Sequence, residues 1–266
     1  LGPTGKMGSS IIKESEQFPN FNISSLCEKK GHHSIGEKIG QVQIIDNLEK
    51  CVKSSDVVID FTTPETTLEI LKILQVEKEK ALVVGTTGFT NKQEKEFQKL
   101  SKDLKILRAS NMSLGINIMC FITDLISSNL KEEVEIEIME IHHKYKKDAP
   151  SGTALTLGKF ASESNEKYQN QEFVFRGLDF NRQRKDNEIG FSSLRGGDVV
   201  GEHTVYFLMN GERLELTHRA TDRKIFAIGS LKAALWIINQ QSGLYGMQDI
   251  VTVSYTHLRA HETKWH

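Results

Sequence analysis

With 34 Lys+Arg against 35 Asp+Glu, the 266-residue chain has a formal net charge of −1, which excludes a basic field of the kind that holds nucleic acid. The length allows one large domain or two of ordinary size with a full core, and no apolar run approaches the roughly 20 residues that cross a bilayer. Three cysteines, Cys27, Cys51 and Cys120, are odd in number and lack metal-ligand spacing, so reduced thiols in a cytoplasmic protein with no metal site are expected.

The chain opens on Gly2-Pro3-Thr4-Gly5-Lys6-Met7-Gly8, followed by Ile11-Ile12 in a polar run that reads as a short helix. Glycines at 2, 5 and 8 let backbone N–H groups approach a pyrophosphate at a helix N-terminus, as in the turn of a dinucleotide fold. Thr4 stands where a second glycine is usual, and only Leu1 represents the strand that should precede the turn. An ordinary Gly-rich turn is the competing reading. Asn22 to Glu28 reads as a strand ending in an acid, about twenty positions after Gly8, where such folds place the carboxylate that holds the adenosine ribose. Lys29 and Lys30 follow and would pair with a 2′-phosphate, so NADH and NADPH both stay open.

Strands and helices then alternate. Val57–Phe61 is an apolar run suited to a strand buried on both faces. Thr63-Pro64-Glu65 offers an N-cap, a proline at N1 and an early acid to a helix carrying Leu68, Leu71 and Leu74. Ala81–Gly85 is the next strand, Thr90 and Gln93 form a capping box, and Leu104–Arg108 is a further strand. The loops Phe61-Thr62-Thr63, Gly85-Thr86-Thr87 and Ser110-Asn111 should gather at the strand C-termini, the face on which such sheets bind ligands, with plain turn chemistry as the competing reading.

After Ser113 the rhythm changes. Leu114 to Leu130 is helical in pattern, and Val134, Ile136 and Ile138 alternate with Glu135 and Glu137 as in a half-exposed strand. The alternation slips at Met139, with Ile141 in step, which predicts a bulge just before His142 that re-aims the side chains after it. A helix over about 153–168 follows, then strands over 173–176, 189–194, 199–209 and 213–218, with Asn210-Gly211 as a two-residue hairpin turn. A last apolar helix over about 226–239 should pack back on the first domain. The expected fold is α/β. A Rossmann-like dinucleotide-binding domain with a truncated first strand takes 1–113 and 223–251. An α+β substrate and oligomerisation domain with a mixed, largely antiparallel sheet takes 114–222. Residues 252–266 continue no pattern and are expected to be a non-native or disordered tail.

The stretch Glu140-Ile141-His142-His143-Lys144-Tyr145-Lys146-Lys147-Asp148-Ala149-Pro150-Ser151-Gly152-Thr153 is the candidate reaction centre. A histidine, with an ordinary pKa of ~6.5, exchanges a proton near neutral pH, and a nearby lysine supplies charge to an anion. Pro150-Ser151-Gly152-Thr153 leads into a helix whose exposed N–H groups suit a carboxylate. A hydride acceptor that becomes anionic during reduction needs such a set.

These motifs resemble those of the 4-hydroxy-tetrahydrodipicolinate reductase (dihydrodipicolinate reductase) family of bacterial lysine and diaminopimelate biosynthesis. The likeness spans roughly Gly2 to Val251 and rests on Gly2–Gly8, Asp60-Phe61-Thr62, Gly85–Phe89, Ser110–Ser113 and the run from Glu140 to Ala154. Arg195–Asp198, Val200–Thr204, Gly243–Tyr245 and Met247–Asp249 extend it, and the family's H-H-x-x-K-x-D-A-P-S-G-T-A is complete. The resemblance implies that His142 is the proton donor and acceptor, with Lys146 as its partner. It implies that His143, Gly152 and Thr153 hold a carboxylate of a cyclic dicarboxylate substrate. NADH or NADPH would be held by Gly2, Pro3, Thr4, Gly5, Lys6, Met7, Glu28, Lys29, Gly85, Thr86, Thr87, Ala109, Ser110, Asn111 and Met112. A homotetramer built through the sheet of the second domain is also implied, with neither nucleic acid nor membrane as partner. Tyr145 departs from the pattern, standing where a second basic or imidazole side chain is common. The alternatives are another two-domain NAD(P)-dependent reductase of a carboxylated or sugar substrate, and a dinucleotide-binding sensor without turnover. The histidine–lysine set argues against the sensor.

Overall fold

Apolar runs of four residues become strands covered on both sides in the first half of the computed structural model, which describes residues 1–131, 134–177 and 180–252. From Val253 on, the expected tail lies outside the described residues. The chain divides into two units, one of Leu1–Leu114 with the segment from Lys224 on, the other Gly115–Arg223.

In the first unit, β4 (Val57–Asp60), β5 (Ala81–Val84), β6 (Lys105–Arg108) and β12 (Gly243–Tyr245) form a parallel sheet of order β12-β6-β5-β4. Side chains alternate across a strand. Leu82 and Val84 therefore enter one core with Leu71, Leu74 and Phe97, while Ala81 and Val83 enter the other with Ala233, Ala234 and Ile237. The first core is closed by α3 (Pro64–Leu74) and α4 (Asn91–Leu100), the second by α7 (Lys224–Ile237). Thr63 caps α3 with Pro64 at its start, and Thr90 and Gln93 form a complete capping box on α4. A smaller sheet holds β1 (Leu26–Cys27), β2 (Lys38–Ile39) and β3 (Val42–Ile45) in the order β1-β3-β2. The strand expected over 22–28 is thus reduced to two residues. Leu1 and Gly2 are held by both sheets, Leu1 N to Ile59 O and Gly2 N to Cys27 O, each at 2.9 Å.

In the second unit, β7 (Glu135–His142), β8 (Glu172–Phe175), β9 (Glu188–Arg195), β10 (Gly201–Met209) and β11 (Glu212–Ala220) form a mixed sheet of order β11-β10-β7-β9-β8. β10 is antiparallel to both its neighbours, and β7, β9 and β8 run parallel. Asn210-Gly211 closes the β10–β11 hairpin, with Gly211 at φ +86°. Helices α5 (Leu114–Leu130) and α6 (Gly152–Glu163) share a core with this sheet through Ile116, Met119, Leu157, Ala161, Ile136 and Phe207. The helix expected to reach Tyr168 stops at Glu163. A 3₁₀ turn, Glu166–Tyr168, follows Asn165, whose amide donates to Ser127 O and Lys131 O.

The bulge expected before His142 is absent. β7 pairs without a doubled residue from Glu135 to Ile141 against β10 and from Ile136 to His142 against β9. Its buried face continues from Ile136 and Ile138 straight into Glu140 and His142. The apparent slip arose because two polar residues occupy inward positions, stabilised there by each other and by Arg195.

Candidate active site

Glu140 and His142 are two residues apart on a strand and so point the same way. Glu140 is 1% exposed, yet its carboxylate accepts from three neighbours. Arg195, paired with His142 across β9, forks onto it with Nη1 at 2.8 Å from Oε2 and Nη2 at 2.7 Å from Oε1. The Ser151 N–H donates to Oε1 at 3.2 Å, and His142 Nδ1 lies 2.5 Å from Oε2. Burial alone would raise the Glu140 pKa, but hydrogen bonds from His142 and Arg195 outweigh it and hold the carboxyl far below its ordinary range. An ionised carboxylate only accepts, so His142 must carry its proton on Nδ1 towards Glu140. That leaves Nε2 for proton exchange with a substrate. Nε2 lies beside Gly201, where an added Cβ would come within 3.0 Å of it.

His203 closes the back of this cluster. Its ring meets that of His142 edge-on at 5.1 Å, and its Nε2 lies 3.1 Å from Ser151 Oγ. Burial first, then the charge of His142, pushes the His203 pKa down to about 3, so it is neutral at physiological pH. Ser151 in turn caps α6 by accepting from Ala154 N at 3.2 Å. The carboxylate that orients His142 therefore also grips the first residue of the helix entrance, where Gly152 is exposed and Thr153 half-buried.

The loop between them is held by backbone bonds from His143 N to Val199 O and from Lys146 N to His143 O. Lys146 Nζ pairs with Asp148 Oδ2 at 2.9 Å, and that hydrogen bond lowers the Asp148 pKa. Arg223 Nη2 lies 3.3 Å from His143 Nε2. A guanidinium only donates, so His143 Nε2 accepts and its proton sits on Nδ1, a buried atom with no hydrogen-bond partner among the described residues. An orphaned donor of this kind suits an incoming carboxylate. Glu140, Arg195, His203 and Arg223 had no assigned role from sequence, and Ser151, expected as a hydroxyl donor to the ligand, instead caps α6 and binds Glu140 through its N–H. Glu140 was findable from the parity of Ile136 and Ile138; the others depend on contacts made far along the chain.

In the first unit, Asp60, Val84 and Arg108 end their strands in register, so the three expected loops do share one edge. Buried Asp60 organises them, accepting from Thr62 N and Oγ1 at 3.0 and 2.5 Å, Thr67 Oγ1 at 2.5 Å and Thr86 Oγ1 at 3.2 Å. The Thr86 hydroxyl is therefore a pin between loops, the Gly85 N–H is taken by Asp60 O at 2.9 Å, and Thr87 is exposed. The Phe61 ring covers Gly85 where a Cβ would stand. Ser110 is exposed, Ala109 half-buried, Asn111 Oδ1 accepts from Ser113 N at 2.9 Å, and Met112 lies 2% exposed in the α7 core.

The glycine turn leads into α1 (Lys6–Ser15), whose N-cap Gly5 offers no side-chain acceptor. Gly2 has φ +62°, and a Cβ on Gly8 would overlap the Gly2 carbonyl oxygen, so the helix packs directly on the turn. Pro3 is buried, Met7 half-buried, and Thr4, Gly5 and Lys6 are exposed. Thr4 N and Oγ1 both donate to Glu28 Oε1, at 3.1 and 2.7 Å. Beside them a cleft of about 800 Å³ is lined by Gly2, Glu28, Lys29, Asp46, Asn47 and Thr62, among others. A tight turn at an open helix start, an acid and a cleft of this size fit the adenosine and pyrophosphate of a dinucleotide.

The family models described as dihydrodipicolinate reductase, N-terminus and C-terminus, match residues 1–112 and 115–251. A 4-hydroxy-tetrahydrodipicolinate reductase of Pelagibacter ubique (strain HTCC1062) is 42% identical over 253 residues, covering 94% of this chain and 95% of its own. One from Geotalea uraniireducens (strain Rf4) is 39% identical over 258 residues, covering 94% and 96%. Among solved structures, the dipicolinate-bound dihydrodipicolinate reductase of Paenisporosarcina sp. TG-14 superposes with a TM-score of 0.76 at 24% identity, covering 94% of this chain and 97% of that one. That likeness is one of fold.

Proposed function

The chain belongs to the dihydrodipicolinate reductase family, and from that membership we propose that Glu140-oriented His142 is the proton donor of its reaction. The protein is an NAD(P)-dependent oxidoreductase that reduces 4-hydroxy-tetrahydrodipicolinate to tetrahydrodipicolinate with loss of water, in lysine and diaminopimelate biosynthesis. NADH or NADPH, when bound, supplies the hydride.

The chain's residues divide the remaining work. His142 Nε2 exchanges the proton while Glu140 holds Nδ1 and stabilises the imidazolium form. The Lys146 ammonium leaves its half-exposed pair with Asp148 for the substrate, a pairing weak enough to exchange. His143 Nδ1–H and the N–H groups of Gly152 and Thr153 receive a carboxylate of the cyclic dicarboxylate. In the first unit, the turn Gly2-Pro3-Thr4-Gly5-Lys6-Met7 takes the pyrophosphate, Glu28 and Lys29 the adenosine ribose, and Gly85-Thr86-Thr87 with Ala109-Ser110-Asn111-Met112 the remainder of the dinucleotide. The first unit is thereby the dinucleotide-binding domain and the second the substrate domain.

The mixed sheet of the second unit is the proposed surface of a homotetramer. Its edge strand β11 is exposed along most of its length, and Leu214 on it is 47% exposed. We place the enzyme in the cytoplasm. No helix among the described residues is long and apolar enough to cross a membrane.

The observation that carries the reading is the closed set of bonds joining Glu140 to His142, Arg195 and Ser151. The test follows loss of NAD(P)H absorbance with freshly generated 4-hydroxy-tetrahydrodipicolinate. Turnover by the wild type and loss of kcat in His142→Gln, at unchanged cofactor affinity, is expected. Loss of cofactor binding in that variant would overturn the assignment.

A further inference from the structure

Resting on the placement of the adenosine ribose at Glu28, we propose that Thr4 is a specificity-determining residue that makes NADH, rather than NADPH, the preferred cofactor. In a dinucleotide turn the position of Thr4 is ordinarily a glycine with no side chain to offer. Here it carries a hydroxyl, and both that hydroxyl and the Thr4 N–H converge on one oxygen of Glu28, at 2.7 and 3.1 Å across 24 positions of chain. The turn and the acid are thereby tied into one piece.

The tie matters because a glutamate at a ribose site has two options. Held in place, it accepts from the ribose hydroxyls, and a carboxylate with about four acceptor sites has room for them beside Thr4. Swung away, it would let Lys29 and Lys30, which line the same cleft, pair with a 2′-phosphate. A donor to an ionised acceptor is the stronger kind of hydrogen bond, and Thr4 supplies two, opposing the second option. Burial acts against the charge on Glu28, but the Thr4 hydrogen bonds outweigh it and keep the carboxyl below its ordinary pKa. A 2′-phosphate carrying about −1.5 to −2 would meet that standing charge. It would also meet Asp46 and Glu69 on the cleft wall, whereas Glu49 is already paired with Lys53 at 2.6 Å. Two lysines do not outweigh those acids while Glu28 stays put.

Calorimetric titration of the full chain with NADH and with NADPH tests this without recourse to turnover. The wild type is expected to bind NADH at least about tenfold more tightly. Thr4→Ala, which removes the hydroxyl, should narrow that ratio several-fold by gaining affinity for NADPH, and Thr4→Ser should keep it. Equal affinities in the wild type, or an unchanged ratio in a folded Thr4→Ala, overturns the proposal. Glu28→Ala separates the two levels of the argument. If it leaves NADH affinity unaltered, the ribose is not at Glu28 and the reading of the cleft fails with the proposal. If it weakens NADH while Thr4→Ala leaves the ratio alone, the cleft stands and only the role of Thr4 falls. Failure to bind either dinucleotide rejects the cofactor site as a whole.

Discussion

His142 Nδ1 and Glu140 Oε2 lie 2.5 Å apart on the inward face of one strand, and the carboxylate of that pair is itself gripped by Arg195 and by the N–H of Ser151. The same carboxylate thus sets the ring proposed to exchange the proton and the start of the helix proposed to receive an anion. Glu140→Gln keeps the shape but offers one oxygen where two are used. A drop in kcat of about 10² or more is expected, by analogy with removing the orienting acid of a histidine. KM for the dicarboxylate should rise as well, because Ser151 loses its acceptor. Steady-state kinetics with both substrates checks this; a change in KM alone would detach Glu140 from His142.

Arg195 and Glu140 form one unit and should behave so energetically. Arg195→Met leaves the buried carboxylate with only His142 and the Ser151 N–H, and losing the charged partner of a buried pair costs up to about 3–5 kcal/mol. The double variant Glu140→Gln/Arg195→Met should recover part of that loss, with a coupling of more than about 1 kcal/mol in urea unfolding. Strict additivity would mean that the fork contributes nothing to stability.

The depressed pKa of Glu140 also sets a direction with pH. The folded state releases this proton more readily than the unfolded chain, so the contribution is present in full above the ordinary glutamate value of 4.5. It is lost progressively as pH falls below that value. Wild-type and Glu140→Gln stabilities should therefore converge as acid is added. Curves that stay parallel from pH 7 to pH 3 would contradict the assignment.

His203 has the opposite chemistry and the same direction. Its pKa is pushed down to about 3, so the folded state resists a proton that the unfolded chain takes up near pH ~6.5. Stability is unaffected above neutrality and falls as pH drops from about 6.5 towards 3. At pH 5 the loss is about 2 kcal/mol relative to pH 7. His203→Gln should flatten that slope in denaturant titrations at stepped pH, and a slope equal to the wild type's would show that His203 takes a proton in place.

Much of the first unit was legible because its causes are local. Thr63-Pro64 and Thr90 with Gln93 start α3 and α4 through bonds made within three residues, and the run Ala81–Val84 is apolar because both its faces are covered. The second unit was harder for the same reason inverted. Parity with Ile136 and Ile138 aims Glu140 inward, but the partner that lets a carboxylate sit there, Arg195, comes 55 positions later. The inward parity of His142 follows from that, and the expected bulge was the price of not knowing it. Asn165 ends the helical run after Glu163 by bonding to Ser127 and Lys131, again far away in sequence. The strand over 22–28 was overextended because β-propensity does not reveal how many residues find a partner: only Leu26 and Cys27 pair, with Ile44 and Ile45.

The glycine turn offers a last test that separates packing from chemistry. A Cβ at Gly8 would overlap the Gly2 carbonyl oxygen and crowd Pro3, both backbone neighbours that cannot rotate aside. Gly8→Ala must therefore push α1 off the turn, and with it the N–H groups proposed to hold the pyrophosphate. Gly152 has nothing within 4 Å of its would-be Cβ, so Gly152→Ala meets no such obstacle. Gly8→Ala should weaken dinucleotide binding at least about tenfold. Gly152→Ala should leave dinucleotide affinity alone and show any effect in KM for the dicarboxylate. Calorimetry with NADH on both variants, beside kinetics, distinguishes them. If Gly8→Ala binds NADH like the wild type, the turn does not carry the pyrophosphate.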